Sequence, residues 1–115
     1  MLAAAPTPAA ALDGIVAYFA QQLESSQFAK GCPIATVALE QSATSDTLHA
    51  VCAATYRHWE DLIADRLARD GLPRAHAALL LSAIEGALLL CRAHRSTEPL
   101  RTAGAQLRHL LERTP

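Results

Sequence analysis

Between Ala77 and Cys91 the chain is apolar on nearly every side of any helix it can form, interrupted only by Ser82, Glu85 and Gly86. Leucine and alanine dominate the run, and both favour helix. A helix that is apolar all round must be buried, and a single small domain cannot cover all of its surface. The segment therefore calls for a second subunit or a sizeable ligand. A membrane span over Ala75–Ala93 is the rival reading. Glu85 at its centre would cost about 2.5–3.5 kcal/mol on insertion scales, so a buried helix of a soluble domain is the better reading. No charged segment followed by an apolar core opens the chain, which argues against a signal peptide.

The other apolar positions also recur at helical spacing. The chain has 115 residues, enough for one core. It is 51% hydrophobic but only 4% aromatic, with few β-branched residues, which indicates an all-α fold. Met1–Pro8 reads as a disordered lead-in whose last two residues, Thr7-Pro8, cap and open the first helix; the domain proper then spans residues 9–113. Leu12, Ile15, Val16, Phe19 and Leu23 share a face of that helix, which should end near Ser25. Pro33 opens a short second helix with Ile34, Val37, Ala38 and Gln41 on one side. Ser45-Asp46 caps a third, striped by Leu48, Cys52, Thr55, Trp59, Ile63 and Leu67 and closed by Gly71. Arg57–Asp61 and Asp65–Arg69 are spaced to pair along its solvated side. Pro73 should start the fourth helix, which runs to about His94. Ser96-Thr97-Glu98-Pro99 caps a fifth, striped by Leu100, Ala103, Leu107 and Leu110, with Arg101, Arg108 and Arg113 facing water.

Ten basic and eleven acidic residues give a net charge of -1. The arginines are interleaved with acids rather than gathered on one face, so this stretch alone is not expected to bind DNA. Cys32, Cys52 and Cys91 lie far apart without a CxxC pair, which fits a reducing cytoplasm. The histidines include only two pairs with cysteine at three-residue spacing, His49/Cys52 and Cys91/His94, too few ligands for a structural zinc site. No cofactor and no catalytic constellation is expected.

The Gly31-Cys32-Pro33 turn before a short apolar helix, the Glu85-Gly86 pair inside an apolar helix and the Ser96-Thr97-Glu98-Pro99-Leu100 cap, in this order, resemble the C-terminal regulatory domain of TetR-family transcriptional regulators. The resemblance covers about Ala9 to Arg113. It implies five helices, a ligand pocket among the earlier ones and a homodimer whose last two helices form an intersubunit four-helix bundle. It also implies an N-terminal helix-turn-helix head, which has no counterpart in these residues, and repression relieved when an effector binds. A stand-alone protein acting through heterodimers or ligand sequestration is the alternative.

A pocket for a small, largely apolar effector is expected to use Phe19, Phe28, Tyr56 and Trp59, with Cys32 and Cys52 at its walls, although each can equally be core. The intersubunit seam is expected to use Leu81, Ile84, Glu85, Leu88 and Arg92 with Leu100, Ala103, Leu107 and Leu110. Glu85 needs a partner in so apolar a helix. The candidates are Arg92 or His94 of the other copy, or a bound ligand.

Overall fold

The structure, a computed structural model, describes residues 5–41 and 43–112, with the backbone alone for 36–39. The Thr7 hydroxyl accepts the Ala10 amide at 3.1 Å and Pro8 occupies the first turn, so α1 runs Pro8–Ser25. Four more helices follow: α2 (Pro33–Gln41), α3 (Asp46–Arg69), α4 (His76–His94) and α5 (Glu98–Glu112). No strand occurs among the described residues, and the all-α expectation holds. Met1–Ala4 of the lead-in, Arg113 and the side chains of Val37 and Ala38 lie outside the described residues.

Local chemistry sets the boundaries. Gln27 and Phe28 adopt φ of 54° and 63°, and the Phe28 amide turns back to the Leu23 carbonyl at 2.7 Å, directing the chain from α1 toward α2. Ser45 caps α3 by accepting the Leu48 amide at 3.2 Å. At the other end Gly71 has φ of 77°. Its amide reaches the Ala68 carbonyl at 3.1 Å, and the Leu72 amide reaches that of Leu67 at 2.9 Å, a Schellman closure. Pro73 does not begin α4. Pro73–Ala75 form a tight turn with three-residue hydrogen bonds from His76 and Ala77, and α4 starts at His76. The Ser96 hydroxyl accepts the Glu98 amide at 3.1 Å and opens α5.

Helix α4 is the central rod, with α1, α3 and α5 packed on it; α5 also packs on α1, and α2 on α3. Leu23, Leu67, Leu88, Cys91 and Leu100 are fully buried in the shared core. Gly104 sets the spacing of α1 and α5, since a Cβ there would lie 2.9 Å from Val16 Cγ2. The expected surface pairs do not form. Asp65 is held by Arg74 across the α3–α4 turn at 2.8 Å, and Arg66 rather than Arg69 pairs along the helix, with Asp70 at 2.9 Å. Arg57 and Asp61 make no ion pair within the described structure. Arg101 and Arg108 are bridged to α1, through Glu24 at 3.6 Å and through Asp13.

The rod is covered on one side only. Ala77, Leu80, Ile84, Ala87, Leu88 and Cys91 are buried, whereas Ala78, Leu79, Ser82, Gly86, Leu89, Leu90 and Ala93 are exposed. Leu79, Leu89 and Leu90 keep 51%, 55% and 51% of their surface in solvent. By length and composition α4 is the one described helix able to cross a bilayer. Its buried face is that of a core helix.

Candidate functional site

Two clefts flank the inner side of α4. The first, about 240 Å3, opens between α1, α3 and α4 and is lined by Leu12, Ile15, Phe19, Trp59, Leu62, Ile63, Leu80, Ile84 and Leu111, with Arg66 at its edge. The second, about 430 Å3, lies between the Gly31-Cys32 turn, α3 and α4, where Ala35, Tyr56, Leu88, Leu89 and Arg92 form its wall. Leu81 and Glu85 line both. Helical spacing makes this possible: Leu81 and Glu85 are four residues apart and stack on one face, with Leu88 and Arg92 a turn or two further along.

A polar cluster stands where the clefts meet. The Tyr56 hydroxyl donates to Glu85 Oε2 at 3.1 Å, and the Cys32 thiol lies close to both groups. The Tyr56 and Trp59 rings meet edge to face with centroids 5.6 Å apart, which joins the cluster to the apolar wall of the first cleft. Burial, and then the Glu85 charge, push the Tyr56 hydroxyl far above its ordinary value of 10.0. Burial likewise pushes the Cys32 thiol up from 9.0, with the Ala35 backbone opposing it and Glu85 adding to the rise. Both therefore stay protonated at neutral pH and act as donors. A thiol held in that form is a poor nucleophile.

Four of the six expected effector contacts reach a cleft, Phe19 and Trp59 in the first and Cys32 and Tyr56 in the second. Phe28 packs against the core and Cys52 is buried, and neither lines a cleft. Ile84, Leu88, Leu100 and Leu107, expected at a subunit seam, are covered by their own chain. The stripe of α5 is the single apolar face that helix offers, and α1 and α4 take it. Ala103 and Leu110 are half-buried beside it, and Leu81, Glu85 and Arg92 line the clefts. Glu85 has Tyr56 and Cys32 as partners within its own chain. Ile15, Leu62 and Arg66 were missed as cleft residues. Leu62, exposed off the main α3 stripe, was the available signal.

The chain matches the family described as the C-terminal domain of LmrA/YxaF-like transcriptional regulators over residues 8–106, and it belongs to that family, a branch of the TetR-type regulators. It is 42% identical over 109 residues to the uncharacterized HTH-type transcriptional regulator Rv0196 of Mycobacterium tuberculosis, covering 87% of this chain and 56% of the relative. It is 27% identical over 104 residues to the HTH-type regulator YxaF of Bacillus subtilis (87% and 54%), and 24% identical over 110 residues to LmrA of the same organism (92% and 58%). The chain thus spans about half the length of the curated relatives it matches. All three of these relatives are named as HTH-type transcriptional regulators. No solved structure matches the chain significantly.

Proposed function

We propose that this chain is the effector-binding and dimerisation domain of a TetR-like repressor of the cytoplasm, whose DNA-reading head is released from its operator when a small, largely apolar molecule enters the clefts. One observation carries the reading: α4 is apolar on more than one side, its inner side lining both clefts and its outer side presenting Leu79 and Leu90 to solvent, with Leu89 exposed at the rim of the second cleft. The outer side is the proposed subunit seam, with Ser82 and Gly86 where it meets the second cleft and Thr102, Ala105, Gln106 and His109 exposed on the neighbouring α5. Nothing approaches within 4 Å of a Cβ placed on Gly86, which leaves room for the backbone of a second copy. This seam uses the same two helices as the sequence-based one but the opposite face of α4.

The same rod would then touch effector and partner. A ligand that binds one placement of α4 better than another shifts the geometry of the pair by its differential affinity alone. Trp59 is the only tryptophan and lines the first cleft, so its emission is a direct reporter. Titration with an uncharged apolar dye such as Nile red should give a saturable change in Trp59 fluorescence. Emission that stays constant while the dye is in excess would remove the effector site from this account.

A further inference from the structure

Glu85 is the one acid among the described residues that line either cleft, and its partners there, Tyr56 and Cys32, are neutral groups. Among the described residues no lysine, arginine or histidine forms an ion pair with it. Two arginines also line the clefts, Arg66 in the first and Arg92 in the second. Arg66 is paired with Asp70 at 2.9 Å. Arg92 follows Glu85 by seven residues on α4, a rise of about 10 Å, and its Cδ packs over Gly31. A carboxylate facing a mostly apolar space is poorly solvated, and a cation that enters with its own apolar body relieves that cost. Two aromatic rings stand near it. Tyr56 is in hydrogen-bond contact with Glu85, and Trp59 lies edge to face with Tyr56. Carboxylate and aromatic rings together favour an ammonium over a hydroxyl, and disfavour an acid.

We infer that the effector is an apolar molecule carrying a protonated amine, seated with its cation at Glu85 and its hydrocarbon body between Phe19, Trp59 and Ile84. This inference rests on the proposed effector site and adds the charge of its ligand. Tyr56 and Cys32 hold the carboxylate in place, so they are positioning residues, and the charge selection belongs to Glu85.

Three probes of equal chain length decide it: decylamine, decan-1-ol and decanoate, each titrated below its micelle-forming concentration against the whole chain and followed by Trp59 emission and calorimetry. The expected order is decylamine at least about tenfold tighter than decanol, with decanoate weakest. In Glu85→Gln the advantage of the amine should vanish while decanol binds as before, the alcohol serving as the control for folding. The wild-type comparison alone decides the matter if that variant does not fold. Equal affinity for amine and alcohol, tighter binding of decanoate, or an undiminished amine preference in Glu85→Gln would overturn the cation assignment and leave the effector site standing. Failure of all three probes to bind would overturn both.

Discussion

Single atoms decide how closely α1 and α5 approach. Gly104→Ala would place a methyl group 2.9 Å from a branch of Val16, whose β-branched side chain has few rotamers to move into. The helical advantage of alanine, about 1 kcal/mol, is outweighed by an overpacking cost of about 1–3 kcal/mol, so a lower melting temperature is expected. Adding Val16→Ala should recover part of the loss, and additive losses would show that the two residues do not touch. The buried thiols give a second test. Cys32 and Cys91 are both raised above 9.0 by burial. The folded chain therefore keeps protons that the unfolded chain releases, and their stability contribution is intact below pH 9 and lost as pH rises beyond it. Melting temperature should be insensitive to these groups at neutral pH and fall in the alkaline range, with Cys32→Ala flattening part of the fall. A decline of the same steepness in that variant would show that Cys32 does not contribute.

At the scale of helices, the ends were readable in advance because capping is local. Thr7-Pro8, Ser45, Gly71 and Ser96 each act where their side chain or φ requires. Gly71→Ala forces a left-handed residue to carry a Cβ and should cost about 1 kcal/mol by thermal or urea unfolding. The start of α4 was misjudged by three residues because Pro73 suits a tight turn as well as a first helical turn. The facing of α4 was harder still. A helix with apolar residues on all sides has no preferred direction in its sequence, so Ile84 and Leu88 were equally plausible inside or at a seam. The α5 stripe was phased correctly, but a stripe does not say whether its partner is the same chain or a second one. The Tyr56–Glu85 contact joins residues 29 apart on different helices, and no local pattern encodes it. With α4 now oriented, Leu90→Arg on its outer side should leave the monomer fold and helical content intact, because Leu90 is 51% exposed and lines neither cleft, and should abolish pairing. An undisturbed dimer in this variant would place the seam elsewhere.

The whole molecule exposes more surface than its mass warrants. A compact monomer of 12.2 kDa is expected to show about 6,100 Å2, and this chain shows 7041 Å2. The excess, on the order of 1,000 Å2, is comparable to the roughly 800 Å2 that each partner contributes to an interface of standard size. The radius of gyration, 14.5 Å, likewise exceeds the roughly 13 Å of a compact domain of this length. Both differences fit the proposed pair, in which the other half would sit on the bare leucines of α4. The direct test is the solution mass of the unliganded chain, measured by light scattering or sedimentation equilibrium across the micromolar range. The result expected is twice 12.2 kDa, shifting to 12.2 kDa in Leu90→Arg. A wild-type chain that stays at 12.2 kDa throughout that range, with α4 open to solvent, would contradict the account.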